Sequence, residues 1–387
     1  MSSITSIAIR QQNLNIWILP INVEWRVKSK YYCFMTPGCR RRGNAMQAWR
    51  EMTARTPATP AILFFYTAIL YFVNGGKCYQ DASRYTGKAS SSLKNMLKSL
   101  IRNSVRELVG SSGPPTQFLV PAGDPGLFGP DSLPWEIHAD FISMMIGGIS
   151  SLILQALHPG ALAGIWDHSS FREDLKGRLG RTAFFIAATT YGSTEMANNA
   201  IERVLHIHQK VTGVDEFNNP YSANDPHLLA WVHLTETSSF MRAYLRYKNA
   251  LLPQHQQDQY FSQMTLIGNR LGTQDLPHCR AETERLIESY FAELHYGQRA
   301  QSVIALLENF PSKPAQKPFV DLLVKAGFMN LPEWVFPKIN RQPPTKFENI
   351  AMHCAISLVA KPLRMALKNG VRSHALRRMQ ACPCRPA

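Results

Sequence analysis

An all-α, multi-helix single domain with a buried helical core is the fold class this sequence predicts, and three observations predict it. Apolar residues recur at three- and four-residue spacings through the central two hundred residues, alternation of the strand type is nearly absent there, and Gly/Pro-rich punctuation separates the helical runs. A chain of 387 residues with 45% hydrophobic content can also bury a large core.

The elements follow in order. The stretch GDPGLFGPDSLPW, residues 123–135, is turn-rich and opens the folded body. From Glu136 to Leu157 there is no proline, and His158-Pro159 stops the helix. Ser143, Ser150, Ser151, Gln155 and the Gly147-Gly148 pair mark this helix for close packing against other helices and argue against a membrane span. After the loop GIWDHSSFRED, a helix is predicted from about Leu175 to Tyr191, closed by Gly192. Another runs from Ser193 or Thr194 to Val211, with Glu195 in its first turn, Lys210 in its last and Gly213 as the stop. The loop NNPYSANDP, where Tyr221, Asn224 and Asp225 read as turn formers, leads into a helix through FMRAYLRYKNALL. DQYFSQMTLIGNRLG, AETERLIESYFAEL and SVIALLENF are again helical by period.

Charge divides the chain. Residues 1–120 carry 16 Lys+Arg against 4 Asp+Glu, residues 340–387 carry 9 against 1, and residues 121–339 carry 17 against 22. The formal charge of +15 therefore lies in the ends. A nucleic-acid-binding domain carries its basic footprint on the folded unit, so no nucleic-acid partner is expected. The domain organisation read from these shifts is a basic and apolar N-terminal extension over 1–115, a folded domain over 116–340, and a C-terminal amphipathic helix with a basic tail over 341–387. Residues 115–370 should hold every helix that builds a pocket. The apolar run Ala61–Val73 is short of the roughly 20 residues a span needs, which points to a buried or interfacial helix and leaves peripheral membrane association open. The seven cysteines form no C-x-x-C pair, a usage that fits a reducing, cytoplasmic setting.

The segment ERVLHIHQKVTG, residues 202–213, poses the chemical question. In its helix Ala197, Ile201, Val204 and Val211 fall on one apolar face and His208 falls with them, whereas Glu202, Arg203, His206 and Lys210 fall on the other. Histidines two residues apart point about 200° from each other and cannot share a metal. Spacing places His208 in the interior, either hydrogen-bonded in the core or as a ligand. In the preceding helix Arg178 and Thr182 share a face, with Arg181 beside them. An arginine on an apolar helix needs an anion: a ligand's acid group, or Asp167, Glu173 or Asp174 in a salt bridge. No phosphate-binding loop, dinucleotide fingerprint, nucleophile elbow or H-E-x-x-H is present, and a di-iron bundle lacks its Glu-x-x-His pairs.

The motifs W-x-x-H-A-D at Trp135–Asp140, LQALHPGALAG with the following HS-x-F, GRLGRT, IHQKVTG and NPYSANDPHLLAWVH stand in this order. Together they resemble the catalytic domain shared by rubber oxygenases (latex clearing proteins) and fungal MpaB-type oxygenases, over about residues 120–340. The resemblance implies a globin-like helical core, haem b bound without covalent attachment, and dioxygen used on carbon–carbon double bonds of isoprenoid chains. It places the iron ligand on His208 and the Arg-x-x-x-Thr pair beside the haem on Arg178 and Thr182. His168, or else His158, becomes a group for the distal side; His158 could equally cap a helix end, and His233 reads as structural. The pattern departs from rubber oxygenases at Arg181, where those enzymes can offer lysine, because guanidinium does not ligate iron. The implied partners are dioxygen and a small apolar, alkene- or isoprenoid-like substrate. A haem-binding or redox-sensing protein without turnover is the alternative, distinguished by a second protein ligand on the iron.

Overall fold

A computed structural model describes residues 98–99, 101–107, 115–314 and 316–381. The run Ala61–Val73 and five of the seven cysteines lie outside the described residues; Cys279 and Cys354 are free thiols.

The centre of the molecule is set by glycine. Helices α1 (Leu133–Ile137) and α2 (Phe141–Ala156) replace the single helix expected from Glu136. The break falls where Asp140 turns extended and its carboxylate accepts from Ser143 N at 3.0 Å, an N-cap that starts a new helix inside an apolar run. α2 is buried along most of its length. A side chain on Gly147 would stand 2.7 Å from Phe240 Cδ1, so only glycine lets α2 lie this close to α6 (Pro226–Tyr247). Gly327 of α10 (Lys317–Met329) meets Ile149 on α2 in the same way. The buried Asn330 then ties all three, donating to Ser150 Oγ at 2.9 Å and to Ser239 O at 3.2 Å.

Around this layer run α3 (Pro159–His168), α4 (Leu175–Tyr191), α5 (Thr194–His208), α7 (Gln254–Leu271), α8 (Arg280–Ser289), α9 (Gln298–Glu308), the short α11 (Val335–Lys338), α12 (Lys346–Ala366) and α13 (Val371–Gln380). α4 occupies the predicted span. α5 ends at His208, three residues earlier than expected, because the chain turns into a hairpin, β1 (Thr212–Val214) against β2 (Pro220–Ser222), paired Gly213 with Tyr221. This small antiparallel pair was not foreseen. It is the only sheet among the described residues, and the fold is all-α.

Both sequence-drawn edges of the domain carry structure that joins the body. Val105, in the helical run 101–107, belongs to the main apolar cluster. Met352, Ile356, Val359, Ala360 and Leu363 of α12 join the same cluster. Arg364 donates to both carboxylate oxygens of Asp140, at 2.5 and 3.1 Å. Arg378 on α13 is fully buried and donates to the carbonyls of Phe118, Asp124, Tyr191 and Gly192 at 2.8–3.3 Å. By length and composition the stretch Lys346–Gln380 could cross a membrane, at mean hydropathy 1.3. Two of its arginines, however, are occupied inside the protein.

Candidate cofactor site

The site is built on the α4–α5 hairpin. Asp174 caps α4 by accepting from Gly177 N at 2.8 Å, and Ser193 caps α5 by accepting from Met196 N at 3.2 Å. Only the short Gly192–Ser193 link separates the helices, so they run back antiparallel and the start of α4 faces the end of α5. That geometry brings Arg178 within electrostatic reach of His208.

His208 is half-buried, and His206 is exposed on the opposite side of the same helix. Burial first, and then the Arg178 cation, hold the His208 imidazole below the usual histidine range, so the ring is neutral at pH 7. Its Nδ1 is buried without a hydrogen bond, and no partner among the described residues orients the ring. This is the least expected feature of the site, since a liganding histidine ordinarily donates through its other nitrogen.

Arg178 settles its own alternatives. The foreseen salt bridge goes to Arg181, which stands 3.7 Å from Asp174 with both partners exposed, while Asp167 is paired with Arg299 at 3.3 Å. The Arg178 guanidinium makes no hydrogen bond or ion pair with any described residue. Burial, and secondarily Arg181, lower its pKa, so the guanidinium is held at a cost that an incoming anion would relieve. Thr182 spends its hydroxyl on its own helix, donating to Arg178 O at 3.2 Å.

His168 ends α3, is exposed, and its Nε2 lies 3.1 Å from Thr212 O, as a donor. It is thus tied to the hairpin four residues beyond His208, and no contact joins it to Arg178 or Thr182 among the described residues. His158 does not cap with its side chain: it is the first residue of the α3 turn, buried, with Nε2 3.1 Å from Glu293. Asp225 is the capping residue of α6, accepting from His227 N at 2.9 Å.

A second polar group was missed from the sequence. His138 spans Thr190 Oγ1 at 2.8 Å and Tyr260 OH at 3.0 Å, linking α1, α4 and α7. Burial pushes its pKa down to about 3, so it works as a neutral hydrogen-bonding bridge. Beside this seam lie His233 and Glu236, one turn apart on α6. Both are half-buried, with His233 packed against Gly268 of α7. Burial drives His233 down to about 4 and Glu236 up to about 7. A carboxyl group poised at neutrality is an acid–base candidate. The signal available in the sequence was a lone acid inside an otherwise uncharged helical run, HLTETSSF.

The residues present fit a haem: a neutral imidazole nitrogen for iron, and a half-buried cation, unpaired among the described residues, for a carboxylate of the macrocycle. The chain belongs to the family described as "ER-bound oxygenase mpaB/B'/Rubber oxygenase, catalytic domain", whose model matches residues 135–378, from Trp135 in α1 to the buried Arg378. It is an oxygenase, and so an oxidoreductase. No curated protein and no solved structure matches the chain.

Proposed function

We propose that this protein is a haem b-dependent oxygenase that holds the iron on His208 and acts with dioxygen on a small apolar, alkene- or isoprenoid-like substrate. The observation that carries this reading is the juxtaposition of a neutral, unpartnered imidazole and an unpartnered buried guanidinium on one hairpin. When bound, haem supplies the activation of dioxygen.

The chain's own residues do the rest. His208 ligates and, being neutral, needs to lose no proton to do so. Arg178 neutralises an acidic edge of the cofactor. Thr182, anchored to Arg178 O, fixes the first turns of α4 beneath it. Glu236, half-ionised near neutrality, can accept or return a proton, and His168 serves at the hairpin edge.

The family's ER-bound character comes to this chain as peripheral attachment at the cytoplasmic face of that membrane, through α12. Phe347, Ile350 and Met365 are strongly exposed, and Phe347 and Met365, five turns apart, share one face. Lys346 and Lys368 flank it with positive charge.

The test of the cofactor is spectroscopic. His208→Ala should abolish the Soret band of the purified full chain while His206→Ala leaves it intact. Equal loss in both variants, or none in either, overturns the assignment.

A further inference from the structure

A cluster away from the α4–α5 hairpin has metal-site chemistry. His158, His227 and Glu293 come from three separate parts of the chain, yet their Nε2 and carboxylate atoms all lie within 4.8 Å of one another. His158 Nε2 stands 3.1 Å from Glu293 Oε2, and His227 Nε2 stands 2.9 Å from the same oxygen.

The arrangement is held from outside. His158 precedes Pro159 at the start of α3 and packs tilted against Trp231 and edge-on to Tyr290, with ring centroids 6.2 and 6.3 Å away. His227 stacks on Tyr290 at 4.3 Å, and Tyr290 OH donates to His227 O at 3.0 Å. The turn carrying Glu293 is fastened to the residue before His158, since His295 N donates to Leu157 O at 2.7 Å. Both imidazoles are therefore seated by aromatic contacts, and the turn that carries Glu293 is anchored through its backbone.

Two imidazoles sharing one carboxylate could be a hydrogen-bonded triad and nothing more. The donor geometry suits a cation. A zinc-like ion sits about 2.1 Å from imidazole nitrogen or carboxylate oxygen, which places neighbouring ligand atoms about 3.4 Å apart in a tetrahedral arrangement. The two N···O separations, 3.1 and 2.9 Å, lie close enough to that spacing for small side-chain rotations to admit the ion. Two nitrogens and a carboxylate select a zinc-like transition ion over calcium or magnesium, which take oxygen sets.

We propose that His158, His227 and Glu293 form a site for one divalent transition-metal ion, sharing no residue with the His208 site. His158 is buried, while the side chains of His227 and Glu293 are 49% and 41% exposed, so the ion's remaining positions open to water or an exogenous ligand. The ion fastens the start of α3, the first turn of α6 and the turn after α8 to one another.

The test is zinc titration by calorimetry of the untagged full chain after chelator treatment. One zinc ion per chain is expected at this site, with affinity reduced by more than about tenfold in His227→Ala and in Glu293→Gln. Glu293→Gln keeps an acceptor for both imidazoles, so a purely hydrogen-bonded triad would survive it, and unchanged helical circular dichroism shows the fold does. His208→Ala should bind zinc as wild type does. No zinc uptake by the wild type, wild-type affinity in both cluster variants, as ligation by the cysteines would give, or loss in His208→Ala alone overturns the proposal.

Discussion

At the scale of single residues, Arg178 separates a functional role from a structural one. Because its guanidinium has no partner to lose among the described residues, Arg178→Ala should leave the thermal midpoint of the cofactor-free protein unchanged or raise it, while lowering haem occupancy. A fall in that midpoint would instead mark a structural role. Glu236 makes a pH-dependent prediction. Its folded pKa, about 7, exceeds the 4.5 of the unfolded chain, so the unfolded state ionises first and stability falls as pH rises from about 4.5 through 7. Glu236→Gln should remove that dependence: equal to wild type near pH 4, and more stable by up to about 3 kcal/mol at pH 8. A constant difference across urea melts at both pH values would refute it. His208 was legible because a helical face is a local property, recoverable from spacings of three and four. The carboxyl's poise at Glu236 was not, since it depends on the burial that α7 and its neighbours impose on it.

At the scale of elements, the sequence carried most of α4 and α5, whose caps and stops are local. It missed the break before α2, although Asp140 and Ser143 form a capping pair, because the apolar run on either side reads continuously. It also missed the hairpin after His208, whose short strands have no alternation to detect. The closeness of α2 to α6 was suggested by Gly147, but the partner could not be: Phe240 lies 93 positions further on. α12 carries a prediction of its own. Its inner face is core, and its outer face is apolar where solvent should demand charge, with Phe347 79% and Ile350 64% exposed. Replacing both by Asp should abolish sedimentation of the full chain with vesicles of ER-like anionic lipid while leaving haem loading unchanged. Salt alone should weaken wild-type binding only in part, since the apolar contribution is not screened. Vesicle binding that survives the double substitution would remove α12 from the attachment.

At the scale of the whole molecule, the α4–α5 hairpin is held in place from the C-terminus. Arg378 has no local pattern that foretells burial, lying in a basic run with Arg377, yet it is fully buried and makes four hydrogen bonds to backbone carbonyls. Two of those carbonyls, Tyr191 and Gly192, are the turn that sets α4 against α5. The other two, Phe118 and Asp124, belong to the loop under that turn, and Gly123 N returns a bond to Arg378 O at 2.8 Å. Asp124 in turn accepts from Thr194 N at 3.0 Å, closing a ring around the start of α5. Taking away the guanidinium leaves buried acceptors unpaired, each costing about 1–3 kcal/mol. Arg378→Met, which keeps much of the volume, should therefore lower stability by at least about 2 kcal/mol. The consequence for the cofactor follows from the geometry: once the turn loosens, Arg178 and His208 are no longer held face to face. A chain ending at residue 370 should lose both thermal stability and haem loading, whereas one ending at 381 should keep both. If the two chains load haem equally and melt together, α13 is an appendage, and the hairpin must be positioned by α4 and α5 alone.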